Sequence, residues 1–221
     1  MEIQAVSLSR RQIRSIYDFL SSIYDYLTSF ERGVNSTALE IAAVERGSRI
    51  LEVGFGTGRT LLGLASRAGE GGEVCGTDLS SRMVTRSHHF VQKHGLSKRV
   101  ALSVGDAQYL PYHGKVFDIV FSSHMLDLID ISQILEILLE FKRVLKVGGR
   151  LILVNLSKAD GSNACKVYEW IYRRNSSLLG GCRPILAKSI MEDAGFENVD
   201  RRFVMAGYVM PTEIVSGEKA Q

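Results

Sequence analysis

The sequence predicts an α/β fold: a doubly wound, mostly parallel seven-stranded sheet preceded by N-terminal helices. Two observations carry this. Short β-type runs alternate with helical stretches of about ten residues or more, the order that builds parallel sheets through crossover helices. The first strand also runs through Gly54, Gly56 and Gly58 into a helix, an arrangement in which glycine lets backbone and ligand approach closely.

Ile13, Ile16, Tyr17, Leu20, Ile23, Tyr24 and Leu27 recur at three- and four-residue spacings, which predicts a helix over 10–29. A second helix is expected from Ser36 or Thr37 to Glu45, capped by Asn35 or Ser36 and ended by Gly47. Strands follow at 49–53, 73–78, 100–104, 116–121 and 149–155. The run at 116–121 is apolar enough to be buried on both faces. Helices are expected between them at 60–67, 80–94 and 131–145, the second capped by Ser80 or Ser81. Beyond the fifth strand the alternation breaks. A helix at 163–174 carries the only tryptophan, Trp170, and a loop follows to Arg183. Pro184 is placed to open a helix that Gly195 ends. Strands at 198–206 and 208–210 complete seven, and the polar tail from Ser216 should fray. This divides one domain, 1–221, into a helical cap (1–46), a cofactor-binding core (47–156), an acceptor-side cover (157–183) and a final helix with strands (184–212).

Lys and Arg number 27 against 24 Asp and Glu, too even a balance to point to nucleic acid. Cys75, Cys165 and Cys182 form no paired spacing, so neither a zinc site nor a disulfide framework is expected. His88, His89 and His94 share a helix without an i, i+4 pair and read as surface residues, so no metal is expected. No window reaches the roughly 18 apolar residues that span a bilayer, and residues 1–11 lack a signal-peptide core. A cytoplasmic protein with free thiols is expected; peripheral membrane contact and a homodimer are both compatible with this composition.

The dinucleotide fingerprint needs a third glycine at position 59, where this chain has Arg59. Glu52, just before the first glycine, would repel a pyrophosphate and attract a cationic ligand. Asp78 ends the second strand 20 residues past Gly58, where an acid holds ribose hydroxyls; capping the helix near Ser80 is its plain alternative. Asp106 follows the third strand and can accept from an adenine amino group. Ser122, Ser123 and His124 follow the fourth. These features stand in order at successive strand ends, where open parallel sheets bind ligands.

Together, Leu51-Glu-Val-Gly-Phe-Gly-Thr-Gly58, Gly76-Thr-Asp-Leu-Ser80, Gly105-Asp-Ala-Gln-Tyr-Leu-Pro111, Phe117-Asp-Ile-Val-Phe-Ser122 and Arg143-Val-Leu-Lys-Val-Gly-Gly-Arg-Leu151 resemble the class I S-adenosylmethionine-dependent methyltransferases. Within that class the chain is most similar to the ubiquinone/menaquinone C-methyltransferase-like group, which has a Tyr-Asp helix before the core, as in Tyr17-Asp18 and Tyr24-Asp25. The resemblance implies a Rossmann-like methyltransferase fold with S-adenosyl-L-methionine as cofactor. It implies that Gly54, Phe55, Gly56, Thr57 and Gly58 surround the methionine part, with Glu52 near its ammonium and Ser122 nearby. Asp78 would take the ribose, Leu79 and Met83 the adenine face, and Asp106 and Ala107 the adenine edge. Tyr17 and Tyr24 would close over the cofactor, with core packing as the alternative.

His124 is the candidate catalytic base, facing where the methyl would emerge; a hydrogen-bonded loop histidine is the alternative. Asp127 is a second candidate, or a cap for the helix at Ile131. Tyr168, Trp170 and Tyr172 in the cover suggest a small-molecule or lipid-like acceptor, such as a quinone precursor. Arg173, Arg174 and Arg183 read as a solvated basic face or an anion site. Three other functions use parts of this pattern: a phospholipid-amine N-methyltransferase, an NAD-dependent oxidoreductase, and a binding protein on a methyltransferase scaffold.

Overall fold

The structure, a computed structural model, describes Ser15 and residues 32–158, 163–174, 182–206 and 210–220. The expected helix over 10–29, with Tyr17 and Tyr24, otherwise lies outside the described residues, as does the loop at 176–181. The elements are α1 (Arg32–Ile41), β1 (Arg49–Val53), α2 (Arg59–Ala68), β2 (Glu73–Asp78), α3 (Ser81–Lys93), β3 (Val100–Val104), β4 (Phe117–Ser123), α4 (Ile131–Val144), β5 (Leu145–Leu156), α5 (Asn163–Arg174), α6 (Ala187–Asp193), β6 (Phe196–Ala206) and β7 (Met210–Lys219). A short 3-10 turn, Leu126–Leu128, stands between β4 and α4.

The seven strands lie in the order β3-β2-β1-β4-β5-β7-β6. β1 to β5 pair in parallel, and β7 runs antiparallel between β5 and β6. Successive strand residues point to opposite faces, so each strand feeds two cores. Leu51, Val53 and Val120 pack with α4 residues such as Ile134 and Phe141. Ile50, Val74 and Phe121 pack with α1 and α2 residues such as Ala38 and Leu61. The strand order reverses between β1 and β4, and open α/β sheets hold ligands beyond the strand ends at such a switch point.

Strands at 49–53, 73–78 and 100–104 and the helix at 163–174 form at the expected bounds. Other expectations need correction. α1 spans Arg32–Ile41 rather than Ser36–Glu45. Arg150 donates to the carbonyls of Ala42 and Ile41 at 3.0 and 2.7 Å, closing the helix there, and Ala43 turns away at φ 44°. β5 begins at Leu145, four residues early. Pro184 precedes α6 instead of opening it. Ile185 is tied to the edge of β5, donating to Leu156 O at 3.0 Å, and Glu213 accepts from Ala187 N at 3.2 Å at the helix start. The polar residues Ser216 to Lys219 are not a frayed tail: Ser216 pairs with Ile152 and Gly217 with Leu151. Backbone pairing overrides side-chain polarity there. Cys75, inside β2, is half-buried.

Gly58 illustrates how the glycine turn is locked. Its φ is +84°, and a Cβ built on it would stand 1.9 Å from Ser87 Oγ on α3. We expect Gly58→Ala to lose about 2–4 kcal/mol in denaturant unfolding, combining left-handed backbone strain with overpacking. Adding Ser87→Ala should return part of the loss. An unchanged unfolding midpoint in Gly58→Ala would contradict this packing.

Candidate functional site

A cavity, partly open to solvent, lies beyond the carboxyl ends of β1 to β4. At the switch in strand order the connections that follow β1 and β4 leave toward opposite sides of the sheet, which opens a crevice between their loops. Gly54 and Gly56 line it from the turn after β1, and Asp78, Leu79 and Met83 from the end of β2 and the start of α3. Asp106 and Ala107 line it from the loop after β3, and His124 from the segment after β4.

Asp78 organises the centre. Its Oδ2 accepts from Gly56 N at 2.9 Å and its Oδ1 from Ser80 N at 2.8 Å. One carboxylate thus ties the glycine turn to the opening of α3. The helix cap is Ser80, whose Oγ accepts from Met83 N at 3.1 Å. Gly54 N donates to Thr77 O at 2.8 Å and Gly105 N to Asp78 O at 3.0 Å, drawing the strand-end loops together. A Cβ on Gly54 would lie 2.7 Å from Met125 Cγ, so only glycine lets these two loops approach. Asp106 folds its own loop, accepting from Gln108 N at 3.0 Å through Oδ1.

Five expected residues stand behind the lining. Phe55 and Thr57 are buried, and Phe55 packs over Gly76. Gly58 turns into α2. Ser122 is buried and donates to Val53 O at 2.9 Å, so its hydroxyl bridges β4 to β1. Glu52 is 2% exposed, and its Oε2 has no hydrogen-bond partner among the described residues. Burial, with the Asp78 charge second, pushes its carboxyl well above the usual glutamate range. An unpartnered buried acid beside a second acid is costly in an empty protein and suits a cationic ligand.

On the other wall, His124 is buried in a left-handed conformation with φ 51°. Its backbone N donates to Val154 O at 2.8 Å. Its Nδ1 lies 2.8 Å from Asp127 Oδ2. Asp127, expected as a base or helix cap, is neither exposed nor capping. It is 0% exposed and accepts from Asn155 Nδ2 at 3.0 Å and from Leu156 N at 3.2 Å. Asp130 caps α4 by accepting from Ser132 N at 3.0 Å.

The expected basic face is divided. Arg174 is exposed and lies over the Trp170 ring at 5.4 Å, whereas Arg183 is 1% exposed and donates through Nη2 to Ile129 O. Burial lowers the Arg183 pKa. Tyr168 and Tyr172 are buried on the inner face of α5, and burial pushes the Tyr168 phenol up as its hydroxyl donates to Cys182 O at 3.1 Å. Trp170, at 60% exposed, points away. His88, His89 and His94 are exposed. Among the described residues no three His, Cys, Asp or Glu side chains gather as a metal site requires. Ser123, named with Ser122 and His124 at the end of the fourth strand, lines the cavity too, and the sequence reading missed Met125, Leu128 and Ile129 beside it. Their position directly after β4 was the available signal.

The Glu52 shift has a consequence for stability. Its folded-state pKa is raised, so its contribution is fully present below the ordinary glutamate pKa and is lost as pH rises through the raised value. We expect Glu52→Gln to raise the melting temperature at pH 8 and to change it little at pH 4. A parallel loss of stability with pH in both proteins would contradict the assignment.

Comparison with known proteins agrees with this geometry. The methyltransferase-domain family profile matches residues 50–149. The ubiquinone/menaquinone biosynthesis C-methyltransferase UbiE of Azotobacter vinelandii is 27% identical over 168 residues, 74% of this chain and 66% of that protein. This chain thus spans about two thirds of that relative's length. The demethylmenaquinone methyltransferase of Bacillus cytotoxicus is 29% identical over 186 residues, 82% of this chain and 76% of its own. The crystal structure of a SAM-dependent methyltransferase from Aquifex aeolicus superposes with a TM-score of 0.63 at 25% identity, covering 84% of this chain and 89% of its own. The cofactor is S-adenosylmethionine, and the Glu52 oxygen without a partner among the described residues and the close-packed glycine turn fit a cofactor that carries positive charge and no phosphate. No helix among the described residues is long and apolar enough to cross a membrane. The chain carries a methyltransferase domain over residues 50–149 and is similar to the class I S-adenosylmethionine-dependent methyltransferases, the ubiquinone/menaquinone C-methyltransferase group among them.

Proposed function

We propose that the protein methylates a ring carbon of a hydroxylated, lipid-like acceptor of the quinone-precursor class. The observation that carries this is the buried His124 on the cavity wall, with its Nδ1 held by a buried carboxylate. An amine acceptor needs only to lose a proton, whereas a phenolic carbon gains nucleophilicity when a base takes its hydroxyl proton. The names of the two relatives, a ubiquinone/menaquinone biosynthesis C-methyltransferase and a demethylmenaquinone methyltransferase, support the same reading.

In this reading Asp78 holds the ribose hydroxyls, Leu79 and Met83 pack on the adenine, and Asp106 and Ala107 meet its edge. Gly54 and Gly56 border the methionine part. Glu52 acts on its ammonium from behind the turn, through low-dielectric protein. When bound, the cofactor supplies a methyl group already activated on sulfur, so the protein contributes position and a proton acceptor. The inner face of α5, with Tyr168 and Tyr172, belongs to the acceptor-side cover.

The test is mass spectrometry after incubation with isotopically methyl-labelled cofactor and, in separate arms, a hydroxylated polyprenyl-ring acceptor and a phospholipid amine. Label on the ring carbon is expected; label on the amine would replace this reading with the amine one. His124→Ala should lower kcat about 100-fold or more, while S-adenosylhomocysteine affinity stays within about twofold. Gly56→Arg and Asp78→Ala should each weaken S-adenosylhomocysteine binding at least about tenfold in calorimetric titration, the scale of one lost charge-assisted hydrogen bond. Unchanged affinity in both would remove the cofactor-site assignment.

A further inference from the structure

The wall behind His124 is built more expensively than a loop histidine requires. Asp127 is 0% exposed, yet two donors converge on its carboxylate, Asn155 Nδ2 at 3.0 Å and the Leu156 amide at 3.2 Å, and His124 Nδ1 lies 2.8 Å from it. The turn that carries it is fastened from the far side. Arg183 donates its backbone N to Asp127 O at 3.0 Å and its Nη2 to Ile129 O. Asn155 is 1% exposed, and its Oδ1 has no hydrogen-bond partner among the described residues. A leucine in its place would avoid an unsatisfied buried acceptor, whose cost is about 1–3 kcal/mol. Among the described residues the asparagine side chain bonds to Asp127. His124 itself sits at φ 51°, a region that disfavours any side chain, held by the bond from its amide to Val154 O.

We propose that Asp127 is a positioning residue. It fixes His124 as the tautomer with the proton on Nδ1, leaving the bare Nε2 on the opposite side of the ring as the proton acceptor for an acceptor hydroxyl. A carboxylate can only accept, so the 2.8 Å bond requires the ring to donate from Nδ1. Asn155 and the Leu156 amide hold the carboxylate so that it cannot turn from the ring. In the reaction, the Nε2 lone pair takes the hydroxyl proton and the O–H bonding pair stays on the acceptor. The developing imidazolium is stabilised by the carboxylate behind it. After methyl transfer that proton passes to solvent, and the proton displaced from the methylated carbon restores the ring hydroxyl. One proton is released per methyl transferred.

This inference rests on the proposed hydroxylated acceptor, but its first test does not. In the ligand-free protein, ¹⁵N–¹H ring correlation spectra at a pH where His124 is neutral should show Nδ1 protonated and Nε2 bare. A ring protonated on Nε2 overturns the proposal whatever the substrate proves to be. In the isosteric Asp127→Asn protein the ring signals should move toward the Nε2–H tautomer. Its kcat should fall at least about 100-fold while the KM for the acceptor and the affinity for S-adenosylhomocysteine change less than about threefold. Asn155→Leu, which leaves both partners of the dyad in place, should show an intermediate fall in kcat and an intermediate tautomer ratio. If kcat in Asp127→Asn and Asn155→Leu follows only the loss of folded protein, and the ring spectrum is unchanged, Asp127 is a structural residue and the proposal fails. A correct tautomer with no methylation of any hydroxylated ring would instead overturn the acceptor reading and leave the dyad standing.

Discussion

The cofactor half of the cavity depends on the Asp78 carboxylate. It is the point where two glycine-turn and helix-opening amides, Gly56 N and Ser80 N, meet one side chain. Without it the turn after β1 and the opening of α3 would each need another acceptor for a part-buried donor, and the strand ends would lose their spacing. Its negative charge also acts on Glu52. The same group therefore shapes the turn and sets the potential of the pocket.

The site accumulates buried acids in a way that works against the stability of the free protein. Glu52 is held at a raised pKa by burial and by Asp78. Glu213, also raised by burial, is compensated by Arg201 at 2.6 Å and Ser157 at 2.9 Å and serves the β5–β7 junction. The difference is instructive. Glu213 has its partners within the chain, as a structural acid should. Glu52 has a buried oxygen without one among the described residues, which leaves its compensation to a ligand. Such unsatisfied groups concentrate where a protein binds.

The central sheet was legible because its signals are local. The β1 run leads into Gly54 and the β2 run ends at Asp78, and short strand-forming runs with glycine punctuation need no distant information. The same holds for Gly54, Gly56, Asp78, Leu79, Met83, Asp106, Ala107 and His124, all of which line one cavity. What could not be read depended on contacts far apart in the chain. The end of α1 is set by Arg150, more than a hundred residues away. The start of α6 is set by Glu213 and by the pairing of Ile185 with β5. The polar residues 216–219 carry no strand signal, yet they fill a place between two strands. Asp127 looked like a cap because it precedes a helix, and only the fold brings Asn155 and His124 to it.

In the proposed function the two sides of the cavity divide the chemistry: Asp78, with Glu52 behind the lining, for a cation, and a carboxylate-held histidine after β4 for a proton. The claim about the first side is the one on which the rest stands, and a ligand pair tests it directly. Calorimetric titration of the wild type and Glu52→Gln should be run with S-adenosylhomocysteine and with methylthioadenosine, which lacks the amino-acid end. Glu52→Gln is expected to lose affinity for S-adenosylhomocysteine by about tenfold, the scale of one charge interaction in a buried site, and to bind methylthioadenosine as the wild type does. Equal changes for both ligands would show that Glu52 does not act on the ammonium, and would contradict the account.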